Sequence, residues 1–333
     1  MQTSCFSLGI ILGNNISTER NAMLRLLSAV GLLCAALSIS SARAQNAATM
    51  IVGYPPGGAT DLMARIMQPE LAIALNGQIV VKNTAGANGT VGALELARSR
   101  PDGTTILLAP GGSLVLTPHT RGAPFQQADF LPICQVTAAL VVMMTPQDSG
   151  FRSLQDVIAR AREMRGTLPY ASTGPGGTPH ISMIALERLT GIEMNHIPFR
   201  GSGEVMQAMV SKQVPLFTDQ GNLVRQYNLH PIAVFSEART QEFPDTPTMR
   251  ELGYDLVFTI WSGLYAPAGT PTVVLDRIEA ACQRMMAAPA VVEGMRRMDM
   301  PIQYRSRADF TAYHAAEYAR FGRLVQEFNL RVN

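Results

Sequence analysis

Lysine is nearly missing from this chain: Lys82 and Lys212 are the only two, and arginine carries the rest of the positive charge. Across 333 residues 27 basic side chains face 25 acidic ones, with no basic stripe. Without one there is no surface to follow a phosphate backbone, and nucleic acid is excluded as a partner. Cysteine is almost as scarce, four in all, and none stands in a Cys-x-x-Cys or related metal-ligand spacing. Also absent are the Gly-Lys-Ser/Thr ending of a phosphate loop, a Gly-x-Gly-x-x-Gly after the first strand, and the Gly-x-Ser-x-Gly elbow of a serine hydrolase. No cofactor and no metal are expected, and after Gln45 there is no internal repeat or low-complexity tract.

What is present begins with an export signal. Met23 and Arg25 precede an apolar run over 26–39, and Ala42-Arg-Ala44 before Gln45 is a small-x-small cleavage pattern. We read 1–22 as an upstream extension, 23–44 as a signal peptide cleaved after Ala44, and the mature protein as periplasmic. The run is shorter than the ~20 apolar residues of a membrane span, and Leu32-Leu33 argues against lipidation of Cys34. Losing the leader removes Arg20, Arg25, Arg43 and Glu19, which leaves 24 charges of each sign. Of the two cysteines that remain, Cys134 and Cys282, a disulfide is possible but not deducible; two buried thiols are the expectation.

The 289 residues from Gln45 on exceed the size at which one core keeps growing, so two lobes are expected. Strand-like and helical stretches alternate: strands at 50–54, 79–82 and 105–109 with a helix at 89–98 point to crossovers onto a parallel sheet. Ser153-x-x-Asp156 is a capping box ahead of a helical stripe. A helix with Ile181, Ile184, Ala185 and Leu189 on one stripe ends at Gly191, and others follow over 273–286 and 307–328, the last carrying Phe310, Tyr313, Glu317, Phe321, Leu324 and Phe328 at helical spacing, which core packing explains. Pro69 lies inside the first predicted helix and should kink or end it.

Two glycine-rich passages carry the functional reading: Tyr54-Pro-Pro-Gly-Gly-Ala-Thr-Asp61 and Tyr170-Ala-Ser-Thr-Gly-Pro-Gly-Gly-Thr-Pro-His180. Each follows a strand and opens a helix. The first N–H groups of a helix lack intrahelical partners, and the aligned peptide dipoles leave about half a positive charge there. Glycine at that point lets an anion approach bare backbone. Two such ends facing one cleft can hold a carboxylate without a lysine or arginine.

These passages, together with Pro101-Asp-Gly103, Ile197-Pro-Phe-Arg-Gly201, Phe243-Pro-Asp-Thr-Pro-Thr248 and Ala266-Pro-Ala-Gly-Thr-Pro271, resemble the Bug receptors. Those are the periplasmic solute-binding components of tripartite tricarboxylate transporters. The correspondence runs in order from about Met50 to the C-terminus. It implies an α/β, two-lobed periplasmic-binding-protein (Venus flytrap) fold, type II-like, with lobe 1 over 45–142 plus 265–333 and lobe 2 over 143–264. The crossings would fall near 141–145 and 260–264, with Trp261 at the second, and the lobes would close on ligand by hinge motion. Departures are Ser211-Lys212, where the family commonly has Gly-Gly, and Asn83-Thr-Ala-Gly86, where it has Asn-Arg-Pro-Gly.

The implied ligand is a small organic carboxylate, bound by a monomer and handed to transporter membrane subunits or, in an orphan receptor, to a sensor protein. By the resemblance Pro56, Gly57, Gly58 and Asp61 belong to the first turn, and Ser172, Gly174, Gly176, Thr178 and His180 to the second. Tyr54, Thr60, Ser113, Thr173, Gly177 and Asp219 complete the candidate ligand-binding set. Plainer roles stand beside these: Asp61 or Thr60 can cap the helix, His180 can be a structural donor, and Asp219 can cap a strand end or meet a ligand amine. Ser172, His180 and Asp219 also contain the groups of a hydrolase triad, the alternative of another class. We read the chain as a binding protein and not an enzyme.

Overall fold

The computed structural model describes residues 47–331; the expected leader and its cleavage after Ala44 lie outside the described residues. The chain opens with β1 (Ala47–Val52), α1 (Ala59–Leu75), β2 (Gln78–Asn83), α2 (Thr90–Ala97) and β3 (Thr105–Pro110). After two short helical turns, Gly112–Leu116 and Thr117–Thr120, comes the long β4 (Phe130–Pro146). A second alternating block follows: α3 (Leu154–Met164), β5 (Pro169–Ser172), α4 (Thr178–Thr190), β6 (Asn195–Pro198), α5 (Ser202–Val210), β7 (Leu216–Gln220) and β8 (Leu229–Val234). The chain returns through β9 (Thr259–Pro267), α6 (Thr272–Ala287), α7 (Pro289–Arg297), β10 (Ile302–Arg305) and α8 (Arg307–Glu327).

The strands hydrogen-bond in the order β2-β1-β3-β9-β4-β7-β5-β6, with β8 and β10 added to β4. β4 is the shared element. Its residues from Phe130 to Leu140 pair antiparallel with β9, and from Val141 onward it pairs antiparallel with β7, then β8. β1 and β3 are parallel, as are β5, β6 and β7, the parallel pairing expected from alternation, and the antiparallel strands on β4 and β9 make the whole sheet mixed. Among the described residues every antiparallel pairing involves β4 or β9, the strands that connect the two blocks.

Local sequence explains the helices that frame the site. Ser153 accepts from the Asp156 N–H and the Asp156 carboxylate accepts in return from the Ser153 N–H, the expected capping box of α3. α4 stops at Gly191, whose φ of 65° is the left-handed conformation that glycine adopts without penalty. α1 continues past Pro69 to Leu75, so the proline does not end the helix. Pro69 and Arg65, whose carbonyl loses its donor, both lie on the exposed face, while Met63, Ala64, Met67 and Leu71 stay buried on the other.

One apolar cluster packs α1 and α6 around Met50, Val52, Met67 and Leu108, and another joins Val142, Met144, Met209 and Phe217. A third carries Trp261 edge-on to Phe310 at 5.5 Å. Burying side chains of this size contributes roughly 1.5–3 kcal/mol each. Cys134 and Cys282, expected as thiols, form a disulfide with Cα atoms 6.7 Å apart, tying β4 to α6. Sequence spacing across 148 positions held no sign of this; the packing of α6 under the sheet brings the pair together. No helix of the described residues is long and apolar enough to cross a membrane.

Candidate functional site

α1 starts behind Gly58 and α4 behind Gly177. Both glycines are extended (φ −79° and −84°), and neither supplies a side-chain acceptor to its helix. A serine or aspartate there would accept from the first-turn N–H groups; glycine leaves those of Ala59, Thr60 and Thr178 without a side-chain acceptor, while Pro179 has no N–H and the His180 N–H donates to the Gly177 carbonyl, and the positive end of the helix dipole stands behind them. Gly58, Ala59 and Thr60 from the first start line one cavity with Thr173, Thr178 and Pro179 from the second. Its volume is about 50 Å³, where one water needs about 10–15 Å³. No lysine or arginine lines it. At Gly58 and Gly201 it meets an outer groove of about 490 Å³, walled by Pro55, Pro56, Met206, Val210 and Tyr227.

The cleft is closed by direct contact. A Cβ on Gly177 would sit 2.5 Å from the Asn88 side-chain amide, and one on Gly112 would sit 2.9 Å from Thr178 Oγ1. Thr120 Oγ1 donates to the Gly176 carbonyl at 3.0 Å, which fixes the second turn against the segment after β3.

Of the predicted residues, Tyr54, Gly58, Thr60, Thr173, Thr178 and Asp219 share the cavity. The Tyr54 hydroxyl lies 3.0 Å from Asn88 Oδ1 and 3.1 Å from Ser113 Oγ, so Ser113 stands one layer behind the wall. Burial pushes the Tyr54 phenol well above its ordinary range, and it stays protonated. Pro56 and Gly57 face the outer groove; Gly57 has φ 81°.

Asp61 turns away from the cavity. Its carboxylate accepts from the Gly57 N–H (2.8 Å), Arg65 Nε (2.9 Å) and Asn83 Nδ2 (2.8 Å). Burial alone would raise its pKa, but the bonds from Arg65, Gly57 and Asn83 together hold it below the usual carboxylate range. It thereby fixes the shape of the first turn.

The second turn is held from behind. Ser172 Oγ accepts from the Gly174 N–H at 3.1 Å and lies 2.6 Å from His196 Nε2. The Gly176 N–H donates to His180 Nδ1 at 3.0 Å, which requires an unprotonated Nδ1. His180 stacks on His196 at 3.7 Å; burial, and for His180 also the second imidazole, depress the pair to about 3 and about 4. The hydrolase alternative is therefore not assembled: Ser172 meets His196 and not His180, and Asp219 is bonded elsewhere.

Asp219 is the one carboxyl in the cavity wall. Oδ2 accepts from Ser202 Oγ at 2.6 Å and Oδ1 from the Gln220 N–H at 2.9 Å. Burial outweighs both bonds and pushes its pKa up to about 6. Sequence reasoning missed the other wall residues, among them Asn88, Ser202, Gln220 and Ile260. Asn88, at φ 55° in Gly86-Ala-Asn-Gly89, carried the sole usable signal, a turn-forming residue between glycines.

A family model described as the tripartite tricarboxylate transporter family receptor matches residues 63–330. A "UPF0065 protein in tcbD-tcbE intergenic region" of Pseudomonas sp. (strain P51) is 31% identical over 314 residues, covering 90% of this chain and 93% of its own. Among solved structures, the periplasmic binding protein BugD superposes with a TM-score of 0.79 at 26% identity, over 86% of this chain and 99% of that one. MatC from Rhodopseudomonas palustris with bound malate gives 0.78 at 25%, over 84% and 98%.

Proposed function

We propose, for a chain that belongs to the tripartite tricarboxylate transporter receptor family, that it captures a small organic carboxylate between the two glycine-capped helix starts and delivers it to a membrane transporter. The observation that carries this reading is the convergence of Gly58–Thr60 and Thr173–Thr178 on a cavity with no basic side chain. The carboxylate sits against the N–H groups that begin α1 and α4, and the rest of a longer ligand runs past Gly58 and Gly201 toward the outer groove. A bound malate in the related MatC supports an acid of this class.

A hydrogen bond to a charged group contributes roughly 1.5–3 kcal/mol net. Three or four, less the cost of ordering ligand and lobes, give micromolar binding, about 8 kcal/mol. The lobes divide as 45–142 plus 265–333 and 143–264, and β4 and β9 connect them. The buried disulfide fits an oxidising compartment and an exported chain.

Thermal unfolding of protein freed of co-purified ligand by refolding tests the reading. An acid at one hundred times its dissociation constant adds about 2.7 kcal/mol. Across a panel of malate, adipate, benzoate and their neutral amides, acids alone should raise the transition. A panel without effect, or amides acting equally, would remove the anion site.

A further inference from the structure

The proposed carboxylate site already contains a carboxyl group and nothing to neutralise it. Asp219 ends β7, is 3% exposed, and receives one uncharged donor on each oxygen, Ser202 Oγ–H from the start of α5 and its own neighbour's Gln220 N–H. β4 presents Val142 opposite it. From beyond the end of β1 comes Tyr54, whose buried phenol stays neutral. His180, at the start of α4, turns its Nδ1 to the Gly176 N–H. Among the residues lining the cavity, no lysine, arginine or histidine faces Asp219.

A ligand carboxylate at the two helix starts brings a second negative charge into the same 50 Å³. Two carboxyl groups in so small a space do not both ionise; they share a proton. We propose that this protein takes up its acid together with one proton held between Asp219 and the ligand. Neutral Asp219 then donates a hydrogen bond where charged Asp219 would repel. The raised pKa of Asp219 puts that proton within reach near neutral pH. An amino acid would instead bring its own positive charge to Asp219 and take up no proton. This inference rests on the carboxylate reading above.

Titration calorimetry of the refolded protein with malate and adipate, in buffers of different ionisation heat, reads the proton directly; aspartate, close in shape to malate but carrying an ammonium, is the control. At pH 7.5 we expect close to one proton taken up per malate or adipate bound, with affinity falling about tenfold per unit as pH rises above 7. Asp219→Asn, whose amide donates as the neutral acid does, should bind at pH 8 about a hundredfold more tightly than the wild type, without proton uptake or pH dependence. Malate and adipate binding with no proton exchanged would overturn the proposal. So would aspartate taking up as much proton as malate, or a folded Asp219→Asn protein that binds neither acid at any pH. Failure of the wild type to bind any panel acid between pH 5 and 8.5 would instead remove the carboxylate reading itself, and this inference with it.

Discussion

Gly177 and Gly57 show how different reasons for a glycine can be separated by substitution. Gly57 has φ 81° with open space where a Cβ would go, so a side chain there strains the backbone and obstructs nothing. Gly177 has an ordinary φ, but its Cβ would meet Asn88 at 2.5 Å, across the closed cleft. Gly177→Ala should therefore leave the unfolding transition of the ligand-free protein almost unchanged and weaken acid binding at least tenfold, by calorimetry. Unchanged affinity would show that the closed contact does not hold the ligand. Asp219 gives a second prediction at this scale. Its pKa rises on folding, so the charge is disfavoured in the folded state: stability is greatest below about pH 4 and falls as pH rises to about 6. The penalty above that is at most about 3 kcal/mol. Asp219→Asn should raise the melting temperature at pH 8 and not at pH 3.5, as scanning calorimetry would read.

At the scale of elements, α1 carries an avoidable cost. A proline in a helix interior is about 3 kcal/mol less favourable than alanine, and Pro69 lies on the exposed face three turns from the glycine start. Pro69→Ala should stabilise the protein by about 1–3 kcal/mol in urea unfolding without altering acid affinity. The second turn responds to acid instead. His180 and His196 are depressed on folding, so the stability tied to their neutral forms is present above about pH 6.5 and is lost as pH falls toward 4 and 3. What was legible in the sequence follows from what is local. The Ser153 capping box, the Gly191 stop and both glycine turns are set by residues a few positions apart, and they stand where the spacing put them. β4 was read only around 141–145, because its core residues are buried on both faces and pair with two sets of neighbours, which erases the alternation that marks a strand. Asn88, Asn83 beside Asp61, and His196 beside Ser172 are brought in by tertiary packing from 22 to 34 positions away, and no short-range pattern announces them.

At the scale of the whole molecule, strands shared between the blocks join the two lobes, and the buried bond between Cys134 and Cys282 ties β4 to α6 within one of them. In a chain-entropy model, closing a loop of 148 residues contributes about 4–5 kcal/mol. The Cys134→Ala/Cys282→Ala double variant should lose most of that in urea unfolding, yet bind acid normally where it remains folded, because neither residue lines the cavity. Trp261, fully buried against Phe310 where β9 pairs β4, makes a fluorescence reporter for hinge closure. The central claim, that backbone N–H groups at two helix starts hold the carboxylate, is most directly tested by amide resonances of ¹⁵N-labelled protein titrated with the tightest acid from the panel. The account predicts downfield shifts at Ala59, Thr60 and Thr178 with the acid and none with its amide. Shifts confined to the outer groove, or identical shifts with acid and amide, would contradict it.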